Sequence, residues 1–246
     1  MSLTAEELKT LRERCKSDLR FLAVNICGMH AWQDSLHNDL AAFLADKSDR
    51  KLVLVPRGHL KSSLVTVVWS IQQILKNPNV RILITNAVWD LSRKFLGEIV
   101  GLITSKSLLP ELFGQFDGKG SKFTQDSITI AQRTDGTLKD ATITTAGVET
   151  SLTGGHYDII IHDDLVEENN INTKEQIQKI IRFYQNGLDL LDPGGIIIVV
   201  GTRWAAGDLY GHLIETEMTK LNGLEVKPEQ RTQWRSILAE SVALRK

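Results

Sequence analysis

A lysine followed by two hydroxyls, Lys61-Ser62-Ser63, opens one apolar run, and a pair of carboxylates, Asp163-Asp164, closes another about 100 residues later. Such a set could bind a polyphosphate. A lysine reaches the outer phosphate oxygens, a hydroxyl and one carboxylate hold Mg2+, and a second carboxylate orients and deprotonates water. By these roles Lys61 is the phosphate lysine, Ser62 and Asp163 the metal ligands, Ser63 a further hydroxyl and Asp164 the base, with Glu167 and Glu168 as substitutes for it. The lysine stands in LVLVPRGHLKSSLVT, residues 52–66, which reads as strand, turn and helix. The turn residues Arg57, Gly58, His59 and Leu60 would turn backbone N–H groups toward an anion, aided by the positive end of the following helix. On the pattern G-x-x-x-x-G-K-[ST], however, Val55 and Leu60 occupy the glycine positions. A Cβ at Leu60 crowds a path that glycine leaves open, and Gly58 is the candidate to supply that freedom.

Two further stretches could join this chemistry. In IIIVVGTRW, residues 196–204, Thr202 at the exit of an apolar run could sense a terminal phosphate, with Arg203 beside it for a phosphate, a neighbouring subunit or nucleic acid. Upstream, Trp32-Gln33 starts a helical pattern, and the Gln33 amide offers both a donor and an acceptor for an adenine edge.

The elements that must position these groups follow from periodicity. Residues 4–25 and 32–45 carry leucines at helical spacing. Apolar, β-branched runs at 52–55, 81–85, 127–130, 141–145, 158–161 and 196–200 predict strands; those at 52, 81, 158 and 196 do not alternate, as expected for central strands covered on both faces. Helical segments at 61–76, 88–105, 173–190 and 207–219 separate them, which predicts a mostly parallel, doubly wound α/β sheet. The Gly-, Thr- and Ser-rich stretch 112–155 predicts hairpins or loops at one edge, and the chain from Asn222 reads as polar and helical.

The 246 residues suffice for one large α/β domain. Lys and Arg number 29 against 30 Asp and Glu, which gives no global electrostatic reason to bind nucleic acid constitutively and leaves a local patch open. No apolar run approaches the ~20 residues of a membrane span. Cys15 and Cys27 have no C-x-x-C partner and read as free thiols in a reducing compartment.

Together, Trp32-Gln33, PRGHLKSS, the IIIHDD strand end and Gly201-Thr202-Arg203 resemble the ATPase domain of the large terminase subunit, the DNA-packaging motor of tailed phages, over residues 30–210. That family tolerates loss of the first loop glycine and often carries an arginine two residues after it, where Arg57 stands. Two positions depart: Asp164 stands where a glutamate is usual, and Ser151-Leu152-Thr153-Gly154 has Thr153 where an arginine acting on a neighbouring subunit is common. Such an arginine would then come from Arg133, Arg182 or Arg203.

The resemblance implies an ASCE/RecA-like P-loop NTPase fold over residues 1–221, with residues 1–45 carrying the adenine-side Gln33 and 222–246 a linker helix toward a nuclease domain that this chain is not expected to contain. It implies ATP and Mg2+ as cofactors, hydrolysis driving double-stranded DNA into a procapsid, and a portal protein and small terminase subunit as partners. The expected assembly is a homo-oligomeric ring, a monomer in isolation, in the host cytoplasm. A helicase-like translocase, a catalytically impaired nucleotide-binding module and a small-molecule kinase are the alternatives.

Overall fold

A computed structural model describes residues 4–204, 207–218 and 234–238. Among the described residues, eight strands form one mixed, mostly parallel sheet: β1 (Arg50–Leu54), β2 (Ile82–Asn86), β3 (Lys122–Phe123), β4 (Ser127–Thr129), β5 (Ile143–Gly147), β6 (Tyr157–Asp163), β7 (Leu191–Gly201) and β8 (Trp234–Leu238). Their spatial order is β3-β4-β5-β2-β6-β7-β1-β8, parallel from β5 through β8, with β3 and β4 antiparallel at one edge. The four continuous apolar runs do form the centre, β2-β6-β7-β1. Residues 234–238, expected within a linker helix, instead pair with β1, and the rest of 222–246 lies outside the described residues.

Alternate side chains serve two cores. Val53, Ile84, Ile161, Ile198 and Val200 face a layer built from α1 (Ala5–Ser17), α2 (Leu19–Phe21, continued by a π-helical turn over Leu22–Ile26), α3 (Asp34–Ala45), α4 (Trp69–Lys76), α5 (Trp89–Gly101) and α6 (Leu109–Phe113). Leu52, Leu54, Leu83, Ile160, Ile197 and Val199 face α7 (Lys174–Leu188) and α8 (Leu209–His212). The single helix expected over residues 4–25 breaks at Asp18, whose side chain accepts from the Phe21 N–H and so starts a new helix.

This topology makes a crevice. Beyond β1 the chain turns into helical turns from Lys61, the π-helical segment Ser63–Val68 and α4 on one face. Beyond the neighbouring β7 it turns to α8 on the other. Ligands of open α/β sheets bind where adjacent strand exits diverge in this way.

Candidate active site

At the exit of β1, Val55 N–H donates to the Gly201 carbonyl (3.1 Å), and Thr202 Oγ1 donates to the Val55 carbonyl (3.2 Å). The loop then runs through Gly58 at φ 83° and Leu60 at φ 54°. A leucine in this left-handed region costs about 1 kcal/mol of steric strain. Two contacts hold the loop. Arg57 stacks over the Trp204 ring, 4.6 Å from its centroid, and Trp204 is tied by its N–H to Asp208, the N-cap of α8. From α3, the buried His37 accepts the Gln33 N–H at Nδ1 (2.8 Å), which makes Nε2 the protonated nitrogen and the donor to the His59 carbonyl (2.9 Å). α3 is fixed in turn by buried Lys51, whose ammonium caps its C-terminal end at Phe43 O, Asp46 O and Ser48 Oγ.

Lys61 is buried, and its Nζ lies 3.2 Å from both Thr202 Oγ1 and Asp164 Oδ2. Ser62 Oγ donates to Asp163 Oδ1 (2.9 Å), and Thr66, one helical turn on, donates to Asp163 Oδ2. Three strand exits thus bring Lys61, Ser62, Asp163, Asp164 and Thr202 together. Asp163 is fully buried; desolvation first, and Asp164 second, push its carboxyl up to about 7. Asp164 has φ 45°, and its Oδ1 is buried without a hydrogen-bond partner among the described residues. Its backbone N–H donates to Val200 O and its carbonyl accepts from Ala87 N–H, so the strained residue is pinned between β7 and the exit of β2. Gly201 is required by packing, because a Cβ there would lie 2.0 Å from the Tyr210 hydroxyl oxygen.

The remaining candidates spread more widely. Glu167 caps the 3-10 turn Glu168–Asn170, and Glu168 is exposed, so neither approaches Lys61 as Asp164 does. Gln33 is exposed just ahead of α3, joined to the loop through His37. Arg203 is exposed beside Thr202, and Arg182 is exposed on α7. Arg133 belongs with Arg81 and Asp140 at the opposite end of the sheet. Thr66 and His37 escaped the sequence reading. The signal for each was a polar residue four positions after a candidate, Ser62 and Gln33; only Thr66 stands in an otherwise apolar run, while His37 is one of several polar residues at the start of α3.

A recess of about 390 Å3 adjoins the loop, walled by Cys27, Met29, His30, Leu60, Ser63 and Val67 among others. Burial and the neighbouring Cys15 push the Cys27 thiol up to about 12, so it stays neutral. Among the described residues, no group of three or more His, Cys, Asp and Glu side chains converges to hold a metal, and no helix is long and apolar enough to cross a membrane.

The geometry defines an α/β protein with a polar, lysine-containing crevice at the carboxyl ends of its parallel strands. No family model and no curated protein matches the chain. Among solved structures, the N-terminal domain of the DNA packaging ATPase from bacteriophage phi29 is similar over 69% of this chain and 80% of that one, at 11% identity and a TM-score of 0.41.

Proposed function

We propose that this chain is a P-loop ATPase domain that uses ATP and Mg2+, and that it serves as the motor domain of a DNA-packaging terminase. The observation that carries the nucleotide reading is the convergence of Lys61, Ser62, Asp163, Asp164 and Thr202 at three neighbouring strand exits. β7, which leads to Thr202, lies between the loop strand β1 and the acid strand β6, so a phosphate held at Lys61 would be within reach of both Thr202 and Asp164. The donors are hard oxygens, which suit Mg2+. That ion is commonly held by one or two carboxylates plus substrate phosphates and water, so a crevice without a three-ligand cage fits it. Ser62 and Asp163 would hold the ion, which when bound neutralises phosphate charge.

Lys61 and the loop N–H groups from Arg57 to Ser63 would bind the phosphates. In doing so Lys61 would exchange its contact with Asp164 for phosphate oxygens, leaving that carboxylate to accept the proton of an attacking water at Oδ1. Thr202 would report loss of the terminal phosphate through its bond to Val55 O, and Arg203 is placed to reach outward. With Lys61 Nζ at the terminal-phosphate end, the nucleoside would lie toward Ser63 and the recess, whose wall at His30 and Ala31 shortly precedes Gln33 in the chain.

The packaging role rests on the motif resemblance at Trp32-Gln33, PRGHLKSS, IIIHDD and Gly201-Thr202-Arg203. With it come the double-stranded DNA substrate, the portal and small-subunit partners, ring assembly and the host cytoplasm. The test is calorimetric titration with Mg·ATP and a non-hydrolysable analogue. Lys61→Ala and Asp163→Ala should each weaken binding by at least ~10-fold. Equal binding by wild type and both variants, or no binding by any, would sink the reading.

A further inference from the structure

Leu60 is the position at which this loop departs furthest from a glycine-lined phosphate turn, and the structure gives its side chain somewhere to go. With the backbone left-handed at φ 54°, Leu60 lines the recess of about 390 Å3 rather than standing apart in solvent. Met29 and Cys27 come from the segment after α2, Val67 from the π-helical turn ahead of α4, and Leu102 from the end of α5. These walls are apolar, while the exposed His30 and Glu98 supply polar edges. Apolar faces with a few polar groups at the margin, in a volume within the ~300–1,000 Å3 of small-molecule sites, suit a flat heteroaromatic ring. π-helical turns, which flank the recess on two sides, are found disproportionately at functional sites.

Position along the loop supplies the second argument. Lys61 turns its ammonium toward Thr202 and Asp164, whereas the residues on either side of Lys61-Ser62, Leu60 and Ser63, line the recess. A polyphosphate laid along the loop therefore has one end at Lys61 Nζ and the other at the recess mouth. We propose that Leu60 is a specificity-determining residue whose side chain packs against the nucleobase, giving the loop its preference for a nucleoside triphosphate over bare polyphosphate. The inference rests on reading the Lys61 loop as a phosphate site. On this view the leucine is a base-contacting wall built into the loop, and its strained backbone is the consequence.

The experiment is calorimetric titration of wild type, Leu60→Ala and Leu60→Gly with ATP and, separately, with inorganic tripolyphosphate, both with Mg2+. Wild type should prefer ATP by about 10-fold or more. Both variants should lower that preference by roughly 3- to 10-fold, as expected for losing about 30–50 Å2 of apolar contact on one face of the side chain. Leu60→Gly is the informative variant, since it relieves the backbone while deleting the side chain, so a loss there cannot be assigned to strain. Leu102→Ala thins the same recess from α5 and should lower the preference less, which keeps the test open if the loop variants misfold.

An unchanged preference in the Leu60 variants would overturn the proposal and leave Leu60 a packing residue. Wild type binding both ligands equally would overturn it too, while tripolyphosphate binding would still uphold the phosphate site. Binding of neither ligand would overturn both.

Discussion

The two ends of the same central strands carry charge clusters of opposite character. At the amino ends, Arg81 donates its backbone N–H and its Nε to Asp158 Oδ2, and its Nη2 to Asp158 Oδ1 (2.8 Å) and Asp192 Oδ2 (2.5 Å). His156 adds a further contact to Asp192 Oδ1. Each oxygen of both carboxylates has a partner there. At the carboxyl ends, Lys61 faces two aspartates, one carboxylate oxygen is left unpaired in a buried position, and the residues on either side, Leu60 and Asp164, are both left-handed. Paired carboxylates without backbone strain at one end serve the fold, even though Arg133 Nε and Nη2 nearby are buried without partners among the described residues. An unpaired carboxylate oxygen together with two left-handed residues at the other is the combination that marks functional sites.

The amino end should therefore show the larger loss of stability when broken. Arg81→Met strands two carboxylates beside each other. The loss should be about 2 kcal/mol, below the ~3–5 of a fully buried pair because Asp158 and Asp192 keep 39% and 32% of their side-chain surface in water. Denaturant unfolding measures it, and ATP affinity should not change. The Arg81 guanidinium holds the Asp192 carboxyl below its usual value, so this contribution is present above about pH 4 and is lost as the pH falls through the lower folded value. An Asp192→Asn variant should accordingly differ from wild type at neutral pH and converge with it in acid.

The carboxyl end should respond with the opposite sign. Asp163 is pushed up to about 7, so between about pH 4 and 7 the folded chain keeps a proton that the unfolded chain has released. Its contribution to stability falls as the pH rises through that window, and the penalty is complete above it. Asp163→Asn should thus be more stable than wild type at pH 8, by about 1 kcal/mol or more, and equal to it near pH 4, while losing Mg2+-dependent nucleotide binding. Neighbouring His162, pushed down to about 3 by burial, is common to both proteins and drops out of the difference. A variant less stable than wild type at pH 8 would place Asp163 with the amino-end carboxylates, as a structural acid.

Sequence reached these two ends unequally. The central strands were legible because a strand buried on both faces has to be apolar throughout, and four such runs mark the sheet's centre. Lys61, Asp163 and Thr202 were legible as polar residues at the exits of those runs. The amino-end cluster was silent, since Arg81, Asp158 and Asp192 lie 77 and 34 positions apart and meet only through strand pairing. The start of β7 was hidden as well: the apolar run begins only at residue 196, yet the strand starts at Leu191 and runs through Pro193-Gly194-Gly195 with Gly194 at φ 82°. Thr66 could be read as a helix residue, but its bond to Asp163 depends on how the π-helical segment Ser63–Val68 docks against the end of β6. Whether Leu60 blocked the loop or lined a pocket depended on a single backbone angle, which residue type alone does not fix.

The smallest effect, and the sharpest test of strain, lies at Asp164. Asparagine matches its shape and accepts the left-handed backbone better than other residues bearing a Cβ. The Lys61–Asp164 pair is about as buried as Arg81–Asp192, but the asparagine carbonyl oxygen can still accept from the Lys61 ammonium, which also keeps the Thr202 hydroxyl, so no charge is stranded. Asp164→Asn should therefore change stability by no more than about 0.5 kcal/mol, and ATP should bind as tightly as to wild type or a few-fold tighter, because Lys61 no longer has a competing carboxylate. Asp164→Ala removes the same charge but puts a residue without a polar side chain at φ 45°, so it should be less stable than the asparagine variant by about 1 kcal/mol. Thermal melts of the three proteins with and without Mg·ATP resolve both terms. Equal stability of the alanine and asparagine variants would mean that the backbone there is relaxed, and the contrast between the two ends would then rest on charge alone.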